Sequence, residues 1–273
     1  MREKSVNRWQ IFSYIFSMIG VIDSGSGGVN VIKECLKYFK QDFVYLVDNL
    51  NCPYGNKPIE KLKKIVLGNI NYLIKNYDID FIILGCNTAS SVLDYYDYEE
   101  IKCPIIKTYP DMKSLCKPKG IGLLFATKNT IKNSKYVIYY LKNYNNIQTL
   151  YIKDLPKAID EQITENSTKN NEKTLKKLKK SVFFNKKLKN RYKKVTNIAL
   201  GCTHFRHIQN DILRLFGDGV GFLYCENNVA KISKLLIKKQ TKIPTVKVVL
   251  TSPNNKYQKN IENMFNGCLT LPQ

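Results

Sequence analysis

Two distant segments share one pattern: Phe81-Ile-Ile-Leu-Gly-Cys86-Asn-Thr and Asn197-Ile-Ala-Leu-Gly-Cys202-Thr-His. Each is an apolar run that ends in Leu-Gly-Cys, followed by small polar residues able to open a helix. A short apolar run closed by glycine predicts a strand buried on both faces, as parallel sheets require. Similar runs at Ile19–Ile22, Phe43–Val47, Ile121–Phe125 and Val246–Leu250 each precede a turn and a helix-compatible stretch. Over 59–76, Ile59, Leu62, Ile65, Val66, Ile70 and Leu73 recur at helical spacing, as in a helix covering such a sheet. Strands alternating with helices predict an α/β chain with mostly parallel sheets. The duplicated pattern further predicts two similar halves, each presenting a thiol at the carboxyl end of a strand, where open α/β sheets bind ligands.

A cysteine beside a helix N-terminus sits in positive potential, which lowers its pKa and predicts thiolate character. Backbone N–H groups and the side chains of Asn87, Thr88 and Thr203 can hold a carboxylate there. Two such thiols facing each other can take a proton from one face of a small acid and return one to the other. That chemistry inverts a stereocentre without a cofactor. The eight cysteines include no Cys-x-x-Cys pair, which argues against a disulfide scaffold or a zinc module and for reduced thiols in a cytoplasm.

Five ordered segments carry a resemblance: Ile19-Gly-Val-Ile-Asp23-Ser24-Gly-Ser-Gly-Gly28, Pro53-Tyr54-Gly55-Asn-Lys57, Gly85-Cys86-Asn87-Thr88-Ala-Ser90, Ala126-Thr127-Lys-Asn-Thr130 and Gly201-Cys202-Thr203-His204. Together they resemble the glutamate racemases of the cofactor-independent aspartate/glutamate racemase family. The resemblance implies two pseudo-symmetric flavodoxin-like domains with the active site between them, no cofactor, and L- and D-glutamate interconversion that feeds bacterial peptidoglycan. Carried over residue by residue, it implies Cys86 as the base for D-glutamate and Cys202 for L-glutamate, with Asp23 assisting Cys86 and His204 assisting Cys202. Asp23, Ser24, Tyr54, Gly55, Asn87, Thr88, Thr203 and His204 would bind substrate. The chain departs from the family pattern at Asp48-Asn-Leu-Asn-Cys52, at Thr108-Tyr-Pro-Asp-Met112, and at Leu155-Pro-Lys-Ala-Ile-Asp160-Glu161 in place of a Glu-Glu-Gly motif. Asp160 or Glu161 is a candidate shifted substitute for that motif's acidic residue, and neither is counted as catalytic.

The expected organisation is an extension over 1–17, a first domain of 18–107 plus 222–273, and a second of 108–221. The extension combines Arg2, Lys4 and Arg8 with a short apolar run; a chain starting at Met18 is expected to fold and turn over. The residues around Thr164, Asn166, Ser167, Thr168 and Asn170 predict an exposed loop, and 171–194 a helix. A net charge of +22 raises nucleic acid as a partner. However, 169–194 holds 12 Lys or Arg and one acid, with Leu175, Leu178, Val182, Leu188 and Tyr192 forming an apolar stripe. That pattern favours an amphipathic helix with solvated lysines, so no nucleic-acid or membrane partner is expected, and a homodimer is the expected assembly. Gly25-Ser-Gly-Gly28 lacks the spacing and the lysine of a phosphate-binding loop. Cys202, His204 and His207 offer at most three ligands, so no metal centre is expected. The enzyme alternative is aspartate racemisation. From another class, the alternative is a basic nucleic-acid-binding protein on a decayed racemase scaffold.

Overall fold

The computed structural model describes residues 18–117, 120–165, 172, 174, 176–180, 192–237 and 240–267. The strands are β1 (Met18–Asp23), β2 (Phe43–Val47), β3 (Ile79–Leu84), β4 (Ile105–Lys107), β5 (Ile121–Ala126), β6 (Ile147–Leu150), β7 (Val195–Gly201), β8 (Gly221–Tyr224) and β9 (Val246–Leu250). The helices of the first half are α1 (Gly28–Leu36), α2 (Ile59–Asn76) and α3 (Asn87–Val92). Then come α4 (Met112–Leu115), α5 (Lys128–Asn133), α6 (Lys135–Asn143), α7 (Leu155–Glu165), α8 (Gln209–Phe216), α9 (Glu226–Leu236) and α10 (Asn255–Asn263). Two parallel sheets result, one of five strands in the order β4-β3-β1-β2-β9 and one of four in the order β6-β5-β7-β8. Both are α/β layers, as the apolar runs predict.

Each central strand is continuously apolar because helices cover both of its faces. β2 is buried at all five positions. α2 buries Leu62, Val66, Ile70 and Leu73 along one stripe, at i, i+4, i+8 and i+11, against the core that contains Ile22, Ile82 and Leu84. The second core gathers Leu123, Phe125, Ile198 and Leu200 with Phe205, whose ring stacks on Phe125 at 4.2 Å between centroids. Side chains start several helices: Thr127 accepts from Thr130 N–H at α5, Ser134 from Val137 N–H at α6, and Asn254 from Tyr257 N–H at α10.

β4, β6 and β8 have no counterpart among the apolar runs read from sequence. All three are edge strands, short and incompletely buried, so they need little hydrophobic signal. The expected return to the first domain at residue 222 falls inside β8. Because β8 pairs with β7, the chain leaves the second sheet only after Tyr224. The loop expected in the 160s is corrected at Thr164 alone; Asn166, Ser167, Thr168 and Asn170 lie outside the described residues. Up to Glu165 the chain is α7, with Leu155, Ile159 and Ile163 at i, i+4 and i+8 packed into the core. Within 169–194, residues 176–180 are helical, with Leu178 buried and Lys176, Lys177 and Lys179 exposed. Val182, Leu188 and the 1–17 extension lie outside the described residues. No described helix is long and apolar enough to cross a membrane.

Candidate active site

The carboxyl ends of β1, β3, β5 and β7 point toward one another, and the segments that follow them build the site. Asp23 ends β1 and is fully buried. Its Oδ1 accepts from Gly25 N–H at 3.3 Å, and its Oδ2 accepts the Thr203 hydroxyl at 2.8 Å, joining the two halves. Cys86 stands immediately before α3 and Cys202 before the 3-10 turn Thr203–Ile208. Both thiols are buried, and Cys202 is one of the groups that act on the Cys86 thiol. Ser24 Oγ lies 4.0 Å from Cys86 Sγ and 3.4 Å from Asp23 Oδ1, so hydroxyl, thiol and carboxyl form one cluster.

The thiolate expected at Cys86 is not what the structure favours. Burial, then the neighbouring Asp23 and Cys202, push the Cys86 thiol up to about 12. α3 is only six residues long, and its dipole does not offset the loss of water. Burial also raises the pKa of Asp23, against the pull of His204. Beside Cys202 stands His204. His204 Nε2 is 2.9 Å from Asp160 Oδ2, and Nδ1 is 3.7 Å from Cys202 Sγ. Burial opposes charge on both partners. Their mutual attraction and hydrogen bond win, raising His204 well above the ordinary histidine value and holding Asp160 below the carboxylate range. His204 is thus a cation aimed at a thiol.

Asp160 is the residue that sequence reasoning set aside. Ser26 donates to its Oδ1 from both N–H and Oγ, at 3.1 and 2.6 Å, while Cys52 Sγ lies 3.3 Å from Oδ2. One carboxylate of α7 is therefore held by the glycine-rich turn after β1, the turn after β2 and the 3-10 turn after β7. The glycines make this approach possible: a Cβ on Gly25 would sit 1.9 Å from Asp160 Oδ2, and one on Gly27 2.3 Å from Thr203 Oγ1. The metal grouping considered from sequence, Cys202 with His204 and His207, is not the one that converges among the described residues. Cys52, Asp160 and His204 do so. His207 instead faces Ser26 O at 3.4 Å and is pushed down to about 4 by burial and by His204.

The remaining expected residues make contacts of their own, several of them between the halves. Thr88 Oγ1 lies 2.8 Å from Thr127 Oγ1 and 3.4 Å from Thr130 Oγ1, a cluster of three hydroxyls spanning both halves. Thr127 and Thr130 belong to a quoted motif but were not counted as site residues. Asn87 Nδ2 points to Cys225 Sγ at 3.3 Å, and among the described residues Asn87 Oδ1 is buried without a partner. Tyr54 is buried, but its hydroxyl donates to Asp48 and accepts from Asn69, which turns it toward its own half. Gly55 packs against Thr127, and Asn129 Nδ2 donates to Tyr54 O at 3.1 Å.

No protein-family model matches the chain. A glutamate racemase of Clostridium botulinum (strain Okra / Type B1) is 32% identical over 204 residues, which cover 71% of this chain and 73% of that one. A glutamate racemase of Clostridium novyi is 28% identical over 253 residues, covering 87% and 92%. Among solved structures, a glutamate racemase isoform from Bacillus anthracis superposes with a TM-score of 0.75 at 21% identity, covering 95% of this chain and 97% of that one. The Escherichia coli glutamate racemase in complex with L-glutamate and the activator UDP-MurNAc-Ala gives 0.73 at 20% identity, covering 91% and 95%.

Proposed function

The chain belongs to the glutamate racemase family, and from that premise we propose that it interconverts L- and D-glutamate by proton transfer between Cys86 and Cys202. The observation that carries the proposal is the pair of buried thiols, one at the strand end of each half, with Asp23, clustered with Ser24 and Cys86, accepting from the Thr203 hydroxyl next to Cys202. In the L-to-D direction, Cys202 as thiolate takes the Cα proton, and the Cys86 thiol gives its proton to the opposite face. The enzyme ends with Cys202 as thiol and Cys86 as thiolate. The thiol form that burial favours at Cys86 is the form this direction requires.

Asp23, buried and raised in pKa, assists at Cys86; His204, held as a cation by Asp160, assists at Cys202. The unpartnered Asn87 Oδ1 suits the substrate ammonium. Ser24, Thr88, Thr203 and the backbone near Tyr54 and Gly55 suit its carboxylates, where fixed dipoles stabilise the charge that develops on deprotonation. In the same proposal, residues 18–107 with the chain after Tyr224, and residues 108–224, act as two domains closing on substrate. The product supplies peptidoglycan in the cytoplasm, in keeping with the seven described cysteines all being free thiols. The assembly is a homodimer, which sedimentation checks.

The deciding experiment incubates the protein with L-glutamate, and separately L-aspartate, in D2O and follows Cα–H loss by NMR together with chirality. Exchange and inversion are expected with glutamate. Exchange with aspartate alone reassigns the substrate, and exchange with neither ends the racemase reading.

A further inference from the structure

Cys52, Asp160 and His204 bring three metal-ligand atoms to one place: Sγ, Oδ2 and Nε2 all lie within 4.8 Å of one another. The thiol sulfur is 3.3 Å, and the imidazole nitrogen 2.9 Å, from the same carboxylate oxygen. A tetrahedral zinc ion with ligand bonds of about 2.0–2.3 Å holds its donor atoms roughly 3.3–3.8 Å apart. Seating an ion there asks for side-chain shifts of less than about 1 Å. Thiolate, carboxylate and imidazole together form a donor set that suits zinc and similar borderline-soft divalent ions and disfavours magnesium or calcium.

The cluster also has a way in. A cavity of about 230 Å³ is lined by Cys52 and Asp160, with Lys157, Glu161, Thr164 and Glu165 around it. Lys157 and Glu161 pair at 3.9 Å within this lining.

We propose that Cys52, Asp160 and His204 form a binding site for Zn²⁺ or a chemically similar divalent cation, with water completing the shell, and that occupancy switches racemisation off. Binding releases the Cys52 S–H proton and the proton on His204 Nε2 to solvent. The inhibitory half rests on the racemase reading, because metal on His204 Nε2 replaces the 2.9 Å bond to Asp160 that holds the ring 3.7 Å from Cys202 Sγ. The binding half rests on donor geometry alone.

The test titrates the untagged full-length protein with Co²⁺, a spectroscopic stand-in for Zn²⁺. A thiolate-to-cobalt charge-transfer band is expected to saturate at one ion per chain and to be displaced by Zn²⁺. It should be lost in Cys52→Ala and kept in Cys202→Ala, Cys202 being the other thiol beside His204. In the unmodified chain, Zn²⁺ at about ten times its Kd should slow alkylation of Cys52 about tenfold by mass action, read by peptide mass spectrometry. An absent band, a band that needs Cys202 instead of Cys52, or alkylation of Cys52 at the metal-free rate overturns the site. Deuterium exchange into glutamate by the metal-free protein is followed in parallel. If that exchange is missing while the cobalt band behaves as expected, the racemase reading fails and the metal site stands. Exchange that persists in saturating Zn²⁺ overturns the inhibitory half.

Discussion

Asp160 and His204 form a buried pair whose side chains are 12% and 1% exposed, and removing one partner of such a pair leaves an uncompensated charge. Asp160→Asn is therefore expected to cost about 3–5 kcal/mol of stability and to lower the His204 pKa, read by NMR of the imidazole. The pH dependence follows from the two shifts. The His204 pKa is raised above 6.5, so its contribution is complete below 6.5 and is lost as pH climbs through the raised value. The Asp160 pKa is lowered below 3.8, so its contribution is complete above 3.8 and is lost as acid passes down through the depressed value. The melting-temperature gap between the unmodified chain and Asp160→Asn should therefore be widest between about pH 4 and 6.5 and shrink on both sides. A gap that stays constant from acid to alkali would contradict the pairing. For the thiols, Cys86→Ser and Cys202→Ser are each expected to reduce full racemisation by about 10²–10⁴-fold. Full activity in either variant excludes a two-thiol mechanism.

The turn between β1 and α1 is where an element's local shape decides whether the site can assemble. Gly25→Ala would place a methyl group on the Asp160 carboxylate and 2.4 Å from His204 Nε2, both of them locked by hydrogen bonds. The variant is expected to lose at least about tenfold in kcat/KM, the equivalent of 1.4 kcal/mol in the barrier; unchanged kinetics would show that the turn can move aside. Gly68 makes the contrast. It lies inside α2 with open space around its Cβ position, so Gly68→Ala should stabilise the chain by about 0.5–1 kcal/mol in denaturant unfolding without touching activity. Legibility at this level followed burial. β1, β2, β3, β5 and β7 announce themselves because an interior strand of a covered parallel sheet needs a largely apolar run, and the edge strand β9 is legible from its Val246, Val248, Val249 and Leu250, whereas β8, also at an edge, has no fully buried position. Thr164 reads as loop because the polar last turn of α7 adjoins a polar run. The Leu155, Ile159 and Ile163 spacing of α7 was present in the sequence all along.

Over the whole molecule the charge of +22 acts at long range and not in the site, whose motif segments carry few charges beyond Asp23, Lys57, Lys128 and the Asp160-paired His204. Attraction of an anionic substrate is screened beyond about 10 Å at 0.1 M salt. The kcat/KM for glutamate is therefore expected to fall several-fold, by roughly 2–10, from about 0.01 to 1 M salt while kcat holds. Salt-independent kcat/KM would mean that the basic surface takes no part in capture. The sequence by itself determined the α/β class, the duplicated strand-thiol pattern and, through five ordered motifs, the family, because each of these is written in residues that are neighbours along the chain. Tertiary structure alone decided the protonation of Cys86, the role of Asp160 and the meeting of Cys52, Asp160 and His204. A buried group's charge depends on how much water its surroundings exclude and on which distant residues the fold brings within a few ångströms, and neither quantity is local.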